Sequence, residues 1–279
     1  MNVRTVNYKD PNNSHDFTRS LRQTGFGVLK NHPIDVSLIN SVYDEWKSFF
    51  SENQKHQYLY DTIKQDGYFP LGTENAKGTS YSDIKEFYHF YSWGKFPNKL
   101  SSNTKRLYQE LVKLTSTLLN WIQVETPNNV KSLFSISLPD MIEESQNHLL
   151  RIIHYPPLDG TEEPEAIRGA AHEDINLITL LVAGTEPGLQ VQDLNGNWHD
   201  VSCDPGSLAI NSGDMLQEIS GGYFPSTSHR IINPNHKIEN KSRYSMPLFL
   251  HPRDDVILSD RYTAKTYLEE RLREIGLRP

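Results

Sequence analysis

The chain has a single cysteine, Cys203, which excludes an intramolecular disulfide framework and suits a reducing compartment. No apolar run approaches the roughly 20 residues needed to span a bilayer. The opening residues, MNVRTVNYKD, lack the apolar centre of a secretory signal. There is no lysine or arginine run, and the formal charge of −7 argues against a surface that displaces counterions from phosphates. Repeats and low-complexity segments are absent as well. These absences point to a cytoplasmic protein with neither a nucleic-acid nor a membrane partner. What remains is ordinary: 279 residues, 36% hydrophobic and 23% charged, enough for one large domain with a sizeable core.

The first 125 residues or so alternate short strands with helices. Asn13 or Ser14 can cap a helix carrying Phe17 and Leu21, and residues 26–30 (FGVLK) read as a strand. Asp35 can cap a longer helix whose stripe is Leu38, Ile39, Val42, Trp46, Phe49 and Phe50. A second stripe, Leu107, Leu111, Leu114, Leu118 and Ile122, marks another long helix. Core packing accounts for both stripes. Residues 62–85, rich in Gly, Ser, Thr and Lys, read as an extended loop. From His148 to Leu250 the texture changes to short apolar runs broken by turn signals such as PPLDG, GTEPG, LNGN and NSGD. Such punctuation predicts an all-β sandwich or barrel. A last helix carries Ala264, Tyr267, Leu268, Leu272 and Ile275, with Gly276 as its C-terminal cap.

Within that β region, residues 170–182 read AAHEDINLITLLV. On a strand, side chains two apart share a face, so His172 and Asp174 point together and Glu173 points away. One imidazole and one carboxylate supply two ligands to one ion. The motif is short, and in a chain with 11 His a chance match is expected. His229, in PSTSHRIINP, supplies a third ligand. Two imidazoles and a carboxylate form a facial triad with adjacent positions left open, the pattern of non-haem iron(II) oxygenases. A structural zinc site would close four positions. Zinc-dependent hydrolysis is the competing chemistry, although no HExxH helix is present. His199 and His236 sit in polar turns and read as surface residues, while His148 and His154 read as core or rim.

Arg243 and Ser245 share one face of a run that is otherwise apolar, KSRYSMPLFLHP. A buried guanidinium is costly unless it meets an anion, and its planar fork fits a carboxylate. An ion pair with a protein carboxylate is the plainer alternative. Alternation along RIIHYPP puts Arg151, Ile153 and Tyr155 on one face. If that face is inward, the Tyr155 phenol reaches the pocket and Arg151 adds a second cation for an acidic substrate; structural pairing is the competing role for Arg151.

These residues resemble the iron(II)/2-oxoglutarate-dependent dioxygenases of the isopenicillin N synthase-like branch. The resemblance runs through NHPID at 31–35, GYFPLG at 67–72 and KEFYHF at 85–90. It continues through HYPP at 154–157, HEDINLITLL at 172–181, GLQV at 188–191, NSGDML at 211–216, STSHRIINP at 226–234 and RYSMPLFLHP at 243–252. It implies a mainly β fold, a double-stranded β-helix or jelly roll with flanking helices. Residues 1–125 would form an N-terminal α/β region flanking the core. Residues 126–279 would form the jelly-roll oxygenase core with its C-terminal helix, the two making one compact unit. The resemblance also implies iron on His172, Asp174 and His229, and 2-oxoglutarate held at its distal carboxylate by Arg243 and Ser245 with help from Tyr155. Dioxygen is then the second cosubstrate, ascorbate the reductant, and a small molecule the substrate, hydroxylated or desaturated at a C–H bond with release of succinate and CO2. Phe69, Tyr88 and Arg151 are candidate substrate contacts. HED followed by LIT is similar to isopenicillin N synthase itself, whose type uses no 2-oxoglutarate and turns Arg-x-Ser toward the substrate. That type is the alternative, and a non-catalytic jelly-roll binding module is the third. Ile153 stands where many plant members carry Asn.

Overall fold

The computed structural model describes residues 1–74, 82–163, 165–202, 204–235 and 238–274. Cys203, His236, Ile275 and Gly276 lie outside the described residues, as does part of the loop expected over 62–85.

The N-terminal region runs β1 (Thr5–Asn7), α1 (Asn13–Thr24), β2 (Phe26–Lys30) and α2 (Val36–Ser51). The N-cap of α1 is Asn12, one residue before the expected pair, and it makes no side-chain cap bond. Asp35 does cap α2: its carboxylate accepts from the Ser37 amide at 2.8 Å. The loop expected over 62–85 contains a short strand, β3 (Gly67–Phe69), which pairs with β4 (Glu86–Phe90). The leucine stripe folds as α3 (Asn103–Glu125), followed by α4 (Asn128–Lys131) and α5 (Leu138–Ile142).

Eight strands follow: β5 (Leu149–Tyr155), β6 (Gly169–His172), β7 (Ile178–Val182), β8 (Leu189–Gln192), β9 (Trp198–Asp200), β10 (Leu208–Ser212), β11 (His229–Ile231) and β12 (Arg243–Leu250). The region is not purely β. Asp214, read as part of a turn signal, opens the short helix α6 (Asp214–Ile219), and α7 (Ala264–Glu274) ends the described chain.

The larger sheet has the order β1-β2-β10-β7-β12-β5-β4-β3, and the smaller β6-β11-β8-β9. Successive core strands pass back and forth between the two sheets, which is the winding of a double-stranded β-helix. Strands from residues 1–125 extend the larger sheet at both edges, so its N-terminal strands and the β-helix share one hydrogen-bonded ladder.

Alternation gives the larger sheet two different faces. Leu150, Ile152, Ile178, Leu180, Val182, Leu208, Ile210, Met246, Leu248 and Leu250 point to the helices, into the cluster that holds the α2 and α3 stripes. Burying a side chain of this size stabilises by roughly 1.5–3 kcal/mol, so this face dominates stability. Phe87, Ile153, Tyr155 and Ala209 point the other way, toward Leu189, Val191 and Ile231 of the smaller sheet. The polar residues of interest lie on this interior side. No helix among the described residues is long and apolar enough to cross a membrane.

Candidate active site

β6 stops at His172, so Asp174 lies past its end, in the turn leading to β7. The strand expected to carry both residues is thus too short, and a pinned turn brings them together instead. The Asp174 carbonyl accepts from the Asp214 amide at 2.7 Å. Gly213 gives the turn its room, since a Cβ there would meet Asn176 O at 2.2 Å and Asp174 O at 2.8 Å. His229 opens β11 directly opposite His172 in antiparallel register, with ring centroids 4.4 Å apart.

Hydrogen bonds fix both imidazoles. Nδ1 of His172 lies 2.8 Å from Ala170 O, and Nδ1 of His229 lies 3.2 Å from Thr227 O. Only a protonated nitrogen satisfies a carbonyl, so each Nδ1–H donates and each Nε2 keeps its lone pair. Both Nε2 atoms sit 3.8 Å from the same oxygen, Asp174 Oδ1. The other oxygen, Oδ2, accepts from Thr179 Oγ1 at 2.6 Å and Asn211 Nδ2 at 2.7 Å. Three donor atoms, all within 4.8 Å of one another, therefore face one space with no proton among them. That arrangement is repulsive unless a cation fills it, and two nitrogens with one carboxylate suit iron(II).

The electrostatics agree. Burial pushes the Asp174 carboxyl up, but the two imidazoles and the bonds from Asn211 and Thr179 outweigh it, and its pKa falls below the ordinary value. The His172 side chain is 45% exposed. The protein packed around it nevertheless pulls its pKa down to about 4. The ring is therefore neutral at pH 7, the ligating form.

Elsewhere in the interior, Arg243 opens β12 opposite Tyr155 of β5, and Ser245 lies opposite Ile153. Arg243 and Ser245 are both buried. The guanidinium Nε donates to Glu186 O at 3.0 Å, and its carbon lies 5.1 Å from the Tyr155 ring centroid. Nη1 has no hydrogen-bond partner. Gly184 makes space for the group: a Cβ there would fall 2.6 Å from Nη2. Among the described residues no carboxylate comes within 4.0 Å of Arg243, so the expected alternative of a protein ion pair is absent.

The three candidate substrate contacts separate. Phe69 faces the interior, stacked on Tyr60 at 4.1 Å and on Phe87 at 4.6 Å. Arg151 shares that side but is already engaged: Nε donates to His89 Nε2 at 2.9 Å, and Nη1 lies 3.2 Å from Glu74 Oε2. Tyr88 is not in the interior. It sits in the helix-side cluster, donating to Lys95 O at 2.8 Å, while its neighbours Phe87 and His89 take the inward face. Of the other histidines, His148 is buried, His154 stacks on Tyr244 at 4.6 Å, and the partly exposed His199 bonds Asp193 at 2.7 Å.

Residue types alone did not single out Thr179, Asn211, Lys85 or Glu74. Lys85 Nζ lies 2.6 Å from Glu74 Oε2 and 2.8 Å from Asp83 Oδ2, and Asp83 Oδ1 accepts from Ala170 N at 3.0 Å. This buried network ties the approach to β4 to the strand that ends in His172. Burial raises the Glu74 carboxyl, yet Arg151 and Lys85 together hold it well below its ordinary range. For Asn211 the signal was available: it alternates with Ile210, so an inward amide follows from an outward isoleucine.

Comparison with known proteins shows the family. Residues 146–252 match the model of the 2OG-Fe(II) oxygenase superfamily, and residues 7–110 match the N-terminal model described as non-haem dioxygenase in morphine synthesis. A crystal structure of a Shewanella oneidensis protein assigned as an oxygenase is 51% identical, covers 99% of each chain and superposes with a TM-score of 0.90. Flavonol synthase/flavanone 3-hydroxylase from Eustoma exaltatum is 37% identical over 257 residues, 84% of this chain and 70% of that one. A full-length Neurospora crassa protein, solved in complex with alpha-KG, shares the fold at TM-score 0.79 and 21% identity, over 96% and 95% of the two chains. The chain belongs to the 2OG-Fe(II) oxygenase superfamily. It is an iron(II)- and 2-oxoglutarate-dependent dioxygenase, with dioxygen as the second cosubstrate.

Proposed function

We propose that the enzyme hydroxylates or desaturates a C–H bond of its substrate, releasing succinate and CO2, with iron(II) held by His172, Asp174 and His229. Arg243 and Ser245, beside Tyr155, hold the distal carboxylate of 2-oxoglutarate. The observation that carries this reading is the pair of Nε2 lone pairs, each 3.8 Å from Asp174 Oδ1, with both ring N–H groups turned away to backbone carbonyls.

Iron(II), when bound, supplies the dioxygen chemistry that couples 2-oxoglutarate decarboxylation to C–H oxidation. The chain's own residues bind, orient and exclude. Thr179 and Asn211 hold Asp174 so that one oxygen is committed to the ligand space. Arg243 and Ser245 fix the far end of the cosubstrate, which sets the reach of its keto acid end toward the triad. Phe69, Phe87 and His89, backed by Arg151, form an aromatic wall for the substrate with little water in contact.

Purified protein, given iron(II), 2-oxoglutarate, ascorbate and air, is expected to form succinate slowly even without substrate. Loss of that background in His172→Ala, with the fold intact by circular dichroism, supports the ligand assignment. Succinate formation at the wild-type rate in that variant would refute it.

A further inference from the structure

A second buried guanidinium lies near Arg243. It belongs to Arg168, just before β6, and is fully shielded from solvent. Its Nη2 donates to Lys241 O at 2.6 Å and to Pro156 O at 3.1 Å. Pro156 follows Tyr155, and Lys241 stands two residues before Arg243. Because Tyr155 and Arg243 face each other across β5 and β12, the Arg168 guanidinium bridges the strand ends where those two side chains sit.

The polar inventory there does not close. Nε and Nη1 of Arg168 and Nη1 of Arg243 are all buried without a hydrogen-bond partner. Among the described residues no carboxylate lies within 4.0 Å of either guanidinium. Glu186, close enough to influence Arg168, directs its carboxylate to Lys241 at 3.1 Å. Burial, and next the Arg243 charge, pull the Arg168 pKa below its ordinary value. Two like charges buried together with unused donors are costly until an anion joins them. A brace for the strand ends needs only Nη2, and leaves Nε and Nη1 unexplained.

We propose that Arg168 is a second anion-binding residue at the cosubstrate end of the interior, acting with Arg243 on the distal carboxylate and selecting a dicarboxylic 2-oxo acid over a monocarboxylic one. This rests on the reading of Arg243 given above.

The test is anaerobic calorimetry on manganese(II)-loaded protein with two ligands, 2-oxoglutarate and 2-oxopentanoate, which has the same chain length without the distal carboxylate. Arg168→Gln is expected to weaken 2-oxoglutarate at least about tenfold and 2-oxopentanoate less than about twofold. Arg168→Lys, a smaller change that keeps the charge, serves if the Gln variant does not fold. It is expected to lose about three- to tenfold for 2-oxoglutarate alone, since an ammonium lacks the fork. Equal losses for both ligands, or none for either, overturn the proposal and leave Arg168 as a brace. Arg243→Gln, run in parallel, separates the two readings. Selectivity lost in Arg243→Gln but kept in Arg168→Gln rejects only the new residue; the reverse rejects the Arg243 anchor and, with it, the joint action proposed here.

Discussion

Two polar groups of side chains in the interior are unfinished, and in opposite senses. Around Asp174, lone pairs converge without a proton: two Nε2 atoms and one carboxylate oxygen, with the other oxygen already committed to Thr179 and Asn211. Near Arg243, three buried nitrogens lack an acceptor: Nη1 of Arg243, and Nε and Nη1 of Arg168. In the proposed reading the first group receives a cation, and the second, whose buried N–H groups lack partners, receives an anion. The proposed cosubstrate, a keto acid whose far end is a carboxylate, carries groups suited to each.

That contrast is broken most severely by removing its single anionic ligand. Asp174→Ala is expected to weaken iron(II) binding by more than about 100-fold, beyond the 10–100-fold typical of outer partners. Anaerobic calorimetry reads the loss, and binding of 2-oxoglutarate to the metal-free variant should stay as in the wild type.

Breaking the opposite group has the complementary signature. Arg243→Gln is expected to cost 2-oxoglutarate binding about 2–3 kcal/mol, or roughly 30–150-fold, while iron(II) affinity holds. Gly184→Ala should go the same way at smaller size, because the new Cβ would push into the guanidinium. Titration of each variant with the metal and the keto acid separately checks both statements.

Asn211→Ala probes how much the commitment of Oδ2 matters. The carboxylate keeps Thr179 but loses a 2.7 Å bond, and metal affinity is expected to drop about tenfold with 2-oxoglutarate affinity to the metal-free protein unchanged. The smallest effect belongs to the helix side. Tyr88→Phe removes one hydrogen bond to Lys95 O and should cost about 1 kcal/mol of stability by denaturant melts, with no change in succinate formation.

The legible parts of this architecture are those governed by period two within a known strand. Arg243 with Ser245, and Arg151 with Tyr155, alternate inward as their spacing dictates, and the α2 and α3 stripes follow the helical period. Tyr88 departs from expectation because parity is meaningless until one residue of the strand is anchored. The inward members of β4 are Phe87 and His89, and nothing local to KEFYHF says so. Asp174 is brought to His172 by a turn that Gly213 and the Asp214 amide pin from a later part of the chain. Arg168 and Thr179 owe their meaning to partners 73 and 5 residues away, contacts that a linear reading does not contain.

The most direct measurement is an anaerobic titration of the apoprotein with iron(II) and 2-oxoglutarate, followed by visible absorption. A metal-to-ligand charge-transfer band should grow to a 1:1:1 end point in the wild type. It should be absent from Asp174→Ala and appear only at higher 2-oxoglutarate in Arg243→Gln. An undiminished band in Asp174→Ala, or no band in the wild type at saturating iron and keto acid, would contradict the joint metal and anion site.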